Sequence, residues 1–231
     1  AHVSRNLFHD NAGQDLFVEV NHGPFLVDNN IFLSKKSVLS LSQGGAYAHN
    51  LFAGNIHIIG FDARMTPFHK PHSTELAGMH NNPCGDDRYY NNIFVRSRGL
   101  NAYKAKQFPP FLGGNVYLAG AEPSEHEDAP LALQDHDPGL ILTHGADGWY
   151  LEANLDAAQI AERRRALVTT ELLGSAKIPD LPYVNRDGSP VRIVTNYFGG
   201  QRDEDDPFAG PFTLAESGRQ QLKVWPIGAS D

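Results

Sequence analysis

Asn50-Leu51-Phe52 is one copy of a three-residue unit, asparagine–branched aliphatic–aromatic, that recurs along the first half of the chain. The others are Asn6-Leu7-Phe8, Asn30-Ile31-Phe32, Asn92-Ile93-Phe94 and Asn115-Val116-Tyr117. The asparagines are spaced by 24, 20, 42 and 23 residues, the long interval being about two ordinary ones, so one rung is masked or carries a long insertion. Each unit lies in a short segment rich in β-branched and aromatic residues and bounded by Gly, Pro or Asp, as in 25–33 and 89–95. A period of roughly 20–25 residues with no helical pattern between copies points to a parallel β-helix, whose rungs stack and whose inward side chains form ladders. In that arrangement the asparagine takes a tight corner, where it tolerates left-handed backbone and its amide bonds the next asparagine, and the aliphatic residue fills the interior. A β-sandwich also has short strands at intervals, but it does not require the same tripeptide at each.

The organisation expected is therefore all-β: residues 1–120 as β-helix rungs, and 121–231 as the final rungs with a C-terminal capping extension. Residues 122–137 are acidic and read as exposed. Trp149-Tyr150-Leu151 reads as a strand. Asp156 with Gln159 resembles a capping box opening a short helix through Glu162 and Arg165, and Leu172-Leu173-Gly174 reads as the end of an element. From Pro179 to Pro211 the abundance of Pro, Gly and Asp suggests loops over the end of the stack, where an uncapped rung would be an open edge.

Composition narrows the function. The 231 residues are 41% hydrophobic and 20% charged, with a formal net charge of -8. That is a globular composition with enough apolar mass for a core, and its charge repels phosphate backbones, so a nucleic-acid partner is not expected. No apolar run approaches the roughly 20 residues of a membrane helix, so no membrane partner is expected. One cysteine, Cys84, leaves no intrachain disulfide framework and fits a reducing, cytoplasmic setting. The start, Ala1-His2-Val3-Ser4-Arg5-Asn6, has no apolar central region of a signal peptide and no initiator Met, so an N-terminal portion of the same polypeptide is expected upstream.

The segment Leu16 to Asn21 alternates, with Leu16, Val18 and Val20 on one side and Phe17, Glu19 and Asn21 on the other. The aliphatics suit the core, so Glu19 should project outward. Four stretches go beyond fold pattern: Asp15-Leu16-Phe17-Val18-Glu19-Val20-Asn21-His22-Gly23-Pro24 with Leu26-Val27-Asp28-Asn29-Asn30, Thr66-Pro67-Phe68-His69-Lys70-Pro71-His72-Ser73-Thr74, Gly85-Asp86-Asp87-Arg88-Tyr89-Tyr90-Asn91-Asn92, and Leu167-Val168-Thr169-Thr170-Glu171-Leu172-Leu173-Gly174. Together they resemble glycoside hydrolase family 120, and the likeness covers most of the chain. The resemblance implies a right-handed parallel β-helix and an exo-acting β-xylosidase that releases xylose from xylo-oligosaccharides by a retaining mechanism. It matches the family's acid/base glutamate to Glu19 and puts the aspartate nucleophile about one rung earlier, upstream of Ala1.

That placement is chemically coherent. Strands in a sheet lie about 4.7–4.9 Å apart, and a retaining pair of carboxyl groups needs about 5–5.5 Å. Carboxylates in one column on adjacent rungs therefore suit double displacement. On its own a lone Glu on the polar side of a strand is an ordinary surface residue.

Substrate-binding candidates cluster near Glu19. Asn21 shares its outward face, and His22 would bond a sugar hydroxyl, orient Glu19, or simply pack in the turn beside Gly23-Pro24. Arg64, His69 and His72 lie in the extended interval between Asn50 and Asn92, where long solenoid insertions often build a binding face. His69 and His72 are three apart, but Pro67 and Pro71 argue against a helix, so no metal site and no cofactor are expected. Asp86-Asp87-Arg88 reads as a turn with a local ion pair or as a second acidic site. Asp203-Glu204-Asp205-Asp206 lacks calcium-loop spacing and reads as a solvated loop. Trp149 and Trp225 read as core packing before sugar stacking. Two other functions stay open: a carbohydrate-binding or structural β-helix without catalysis, and a pectin-lyase-like enzyme, which the net charge disfavours unless a local basic groove overrides it. An open edge of the stack also leaves self-association into a homo-oligomer open.

Overall fold

The structure, a computed structural model, describes residues 1–103 and 107–228. The repeat forms a parallel β-helix of about five turns. Its first sheet stacks His2–Ser4, Phe25–Asp28, Gly45–Ala48, Arg88–Tyr90 and Phe111–Gly113 in parallel. The second stacks Leu7–Phe8, Ile31–Phe32, Leu51–Phe52, Ile93–Val95, Val116–Leu118 and Leu131–Leu133. The third, shorter one stacks Leu16–Glu19, Lys36–Leu41 and Asn55–Ile58.

The asparagines form the expected ladder at the corner before the second sheet. Asn30 donates its backbone N–H and side-chain amide to Asn50 Oδ1, at 2.9 and 3.0 Å, and Asn50 does the same to Asn92 Oδ1. Asn6 to Asn30 and Asn92 to Asn115 repeat the pattern. The left-handed residue, however, is the one before each asparagine: Arg5, Asn29, His49, Asn91 and Gly114 all have positive φ. Turning the chain one position earlier frees each asparagine to point its amide along the stack.

The assignment of inside and outside within the repeat is reversed from the expectation. The aromatic residue fills the coil, and the aliphatic one faces out. Phe8, Phe32, Phe52, Phe94 and Tyr117 stack face to face at centroid spacings of 4.8, 5.0, 5.2 and 5.2 Å. They share the coil interior with Val27, Tyr47 and Tyr89 of the first sheet and Val38 and Ile56 of the third. Rung spacing matches the offset-stacking distance of aromatic rings, worth about 0.5–1.5 kcal/mol per pair beyond area burial. Ile31, Leu51, Ile93 and Val116 project from the other side of the same sheet and are buried there by the C-terminal half.

That half covers the flank of the coil. An antiparallel sheet of Ile141–Gly145, Gly148–Leu155 and Gly218–Trp225, with Tyr197 and Phe212, packs on the outer aliphatics of the second sheet. Val168, Leu173, Tyr183, Val191 and Ile193 pack on Leu26, Ala46 and Ala48 of the first. The Pro- and Gly-rich segment expected over the end of the stack thus lies along its side, because the outward aliphatic column there had to be buried. The Asp156 cap forms, its Oδ1 accepting from Gln159 N–H at 3.1 Å. The helix is only Ala157–Ile160, since Arg165 turns back to the coil and donates to Gly114 O. Thr170–Leu173 ends at Gly174 as expected.

The interval of 42 residues is one rung with an insertion: Asn50 meets Asn92 directly. Between them an antiparallel hairpin, Asp62–His69 with Leu76–Asn82, projects from the coil. Glu127, in the acidic stretch that reads as exposed, is buried. It accepts from Asn115 N–H and Nδ2 and from Tyr117 Oη, taking the place of a sixth ladder asparagine.

Candidate active site

The third sheet presents Phe17 and Glu19 outward, both exposed, while Leu16 and Val18 pack against the coil interior. Glu19 occupies the edge strand, and its partner on the following rung is Leu41. Its carboxylate accepts from Arg64 Nη2 at 2.7 Å. Arg64 reaches it from the hairpin and is held from behind by Asp62, which accepts from Nε at 2.9 Å and from Nη2 at 2.6 Å. Two carboxylates thus share one guanidinium. The hydrogen bonds from Arg64 hold the Asp62 carboxyl below its usual range, and the carboxylates raise the guanidinium further.

After Glu19 the chain turns sharply. Asn21 Oδ1 accepts from Gly23 N–H at 2.9 Å, and Asn21 N–H donates to Ser42 Oγ on the next rung. Gly23 has φ +71 and lies so close to Gly44 that a Cβ would fall 2.3 Å from its carbonyl oxygen, so a side chain is excluded on both counts. His22, next to this close approach, is 2% exposed. Its Nδ1 accepts from Gln43 Nε2 at 3.0 Å, and its Nε2–H donates to Thr66 O at 3.1 Å. Burial lowers its pKa, in keeping with a neutral ring that accepts at one nitrogen and donates at the other. The ring meets Phe68 and His80 edge-on. These contacts moor the hairpin to the rung, a role for His22 that was not among those read from the sequence.

Between the Asn21–Leu26 turn, the hairpin tip and the C-terminal segment lies a cleft of about 930 Å³. The hairpin contributes His69, Lys70 and His72, and the C-terminal segment Tyr183, Asn185 and Arg186. Asn21, His22, His69 and His72 border this cleft; Glu19 and Arg64 are not among its lining residues: Glu19 ends the strand two residues before Asn21, and Arg64 lies on the hairpin three residues before Pro67. His69 Nδ1–H donates to Thr74 O at 3.1 Å within the hairpin turn. The C-terminal wall was not visible in the sequence, because nothing local to 181–191 says which rung it packs on; only the unsatisfied outer face of the first sheet could have hinted at it.

Asp86, Asp87 and Arg88 are not among the residues lining the cleft. Asp86 pairs with Arg88 at 2.8 Å, as a local ion pair would, but the pair is buried. Asp87 turns into the coil, where it accepts from Gly45 N–H and Tyr103 Oη at 2.9 and 2.8 Å. Burial pushes its carboxyl up to about 7. Neither carboxylate is open to substrate. Among the described residues no three His, Cys, Asp or Glu side chains are grouped to hold a metal, and no helix is long and apolar enough to cross a membrane. Trp149 packs on the outer core, whereas Trp225 is half exposed.

No family model matches the chain, and the search of curated proteins gave no match. Among solved structures the chain is similar to XylC in its complex with xylose, with a TM-score of 0.88 and 33% sequence identity over 97% of this chain. The match covers 39% of that chain, so the sequence spans about two fifths of its length.

Proposed function

We propose that this chain belongs to glycoside hydrolase family 120 and forms part of a retaining, exo-acting β-xylosidase. The observation that carries the reading is the likeness in sequence and shape to a protein in complex with xylose, joined to an outward carboxylate, Glu19, two residues from Asn21 in the wall of a sugar-sized cleft. Glu19 is the acid/base. The resemblance puts its nucleophilic carboxylate about one rung earlier, in an N-terminal portion of the same polypeptide, while the following rung offers Leu41 at the paired position. One rung of separation is the spacing of a retaining pair.

In the first step the nucleophile's carboxylate attacks the anomeric carbon. The glycosidic C–O bond breaks, and the Glu19 proton passes to the leaving oxygen. In the second step Glu19 takes a proton from water, the water oxygen bonds the anomeric carbon, and the nucleophile leaves as carboxylate. Arg64, anchored by Asp62, holds the Glu19 carboxylate in place as a positioning residue. The wall of the cleft formed by Asn21, His69 and His72 supplies polar contacts for sugar hydroxyls.

The test is the Glu19→Gln variant in the complete polypeptide. Activity on xylobiose should fall by about 10²–10⁴-fold. Azide should restore turnover of an aryl β-xyloside with an activated leaving group, because it attacks the glycosyl-enzyme without needing a general base. Unchanged hydrolysis of xylobiose would sink the assignment. Binding of xylobiose by the wild-type polypeptide without any turnover would favour the carbohydrate-binding reading instead.

A further inference from the structure

The charged side chains lining the cleft between the hairpin and the C-terminal segment are opposite in sign to the net charge of the protein. The chain carries a formal net charge of -8, yet among the described residues no Asp or Glu lines this cleft, while Lys70 and Arg186 do, together with His69 and His72. The two cations come from opposite walls, Lys70 from the hairpin and Arg186 from the C-terminal segment. Lys70 is paired with Glu75 on its own hairpin, and Asp187 lies close enough to His72 to feel its charge. Arg186 makes no ion pair or hydrogen bond among the described residues. A guanidinium left unpaired beside a cleft free of carboxylates is a ready fork for one planar carboxylate. Around it, Pro67, Phe68, Pro71 and Pro182 give apolar surface of the kind that packs on the C–H faces of a pyranose.

Resting on the reading of the chain as a xylo-oligosaccharide glycosidase, we propose that the cleft receives a uronic acid unit carried by the oligosaccharide, with Arg186 as the residue that selects its carboxylate. Net charge disfavours an acidic sugar, but charges beyond about a screening length are damped, whereas Arg186 acts at the cleft itself.

The experiment is calorimetric titration of the complete polypeptide with xylotriose and with glucuronic-acid-substituted xylotriose. The acidic sugar should bind about tenfold more tightly, as a charge-assisted bidentate contact at a partly solvated site allows. In Arg186→Gln the preference should disappear, with xylotriose affinity unchanged within about twofold. Arg186 is exposed, so its replacement should leave folding intact. Equal affinity for the two sugars in the wild type, or a preference that survives Arg186→Gln, overturns the acidic subsite and leaves the glycosidase reading standing. Failure to bind either sugar, with no hydrolysis of an aryl β-xyloside, overturns both.

Discussion

The carboxylate of Glu127 stands on the amide of Asn115, accepting at 3.0 Å from its backbone N–H and at 3.1 Å from its Nδ2. Every earlier rung meets an asparagine there. The next corner residue is Pro130, behind the left-handed Ala129, and proline has no amide to offer, so an acceptor must come from elsewhere. Glu127→Ala should leave the Asn115 donors and the Tyr117 hydroxyl unsatisfied in a buried site and cost roughly 2–5 kcal/mol. Glu127→Gln keeps an acceptor oxygen and should cost less than half as much. Urea denaturation midpoints of the two variants check this order.

The aromatic column makes a second prediction about stability. Phe52 is fully buried between Phe32 and Phe94. Phe52→Ala should destabilise by about 3–5 kcal/mol, whereas Leu51→Ala, on the outward side of the same strand, should cost about 2–5 kcal/mol. The distinguishing readout is where the damage falls. Loss of Leu51 loosens the packing of the antiparallel C-terminal sheet, seen as faster amide exchange in Gly148–Leu155, and loss of Phe52 loosens the rungs.

The same column shows what the sequence could and could not say. The repeat exposed the period, the asparagine ladder and the parallel stack, because those depend on residue type at a fixed spacing. It did not reveal which of Leu51 and Phe52 points inward, since both are apolar and a strand in this fold is buried on both faces. That was decided by the C-terminal half, whose packing is long-range. The outward placement of Glu19 was legible through its alternation with Leu16 and Val18. Arg186 was not, because its place at the cleft comes from Tyr183, Val191 and Ile193 docking on the first sheet.

Asp87 predicts a pH dependence. Its folded pKa is raised from 3.8 to about 7 by burial, so the folded state holds the proton more tightly than the unfolded one. Stability from this group is complete below about pH 4, falls as pH rises toward 7, and is flat above. Tyr47, Tyr89, Tyr103 and Cys84 surround the carboxyl, and burial raises the pKa of each of them as well, so none takes up the charge in this range. Asp87→Asn should remove this slope: the wild type should lose stability relative to the variant between about pH 4 and 7 by an amount on the order of a few kcal/mol. Denaturant titrations at pH 4.5 and 7.5 on both proteins check it, and parallel curves would refute it.

Arg64 separates positioning from stability. Its side chain is 56% exposed, so Arg64→Ala should change the unfolding midpoint little. In the complete polypeptide it should lower kcat about 10–100-fold with a smaller effect on KM, because Glu19 loses its orientation while the cleft is untouched. Arg64→Lys should recover only part of the loss, since a lysine cannot bridge Asp62 and Glu19 with one planar fork. An equal rise in KM with kcat unchanged would instead make Arg64 a substrate contact.

His22 makes the hairpin's anchorage testable. A two-stranded hairpin is marginal without packing support, and this one is tied to the rung through Thr66 O and Phe68. His22→Ala should therefore free the hairpin while the stack persists. Amide exchange across Asp62–His69 and Leu76–Asn82 should rise steeply, with the exchange of Phe25–Asp28 and Gly45–Ala48 nearly unchanged. Because Arg64 rides on the hairpin, the same variant should lower activity on an aryl β-xyloside in parallel with the exchange. A hairpin that stays protected in His22→Ala would mean that the His22 contacts are not what holds it, and Arg64 would then reach Glu19 from a support other than this ring.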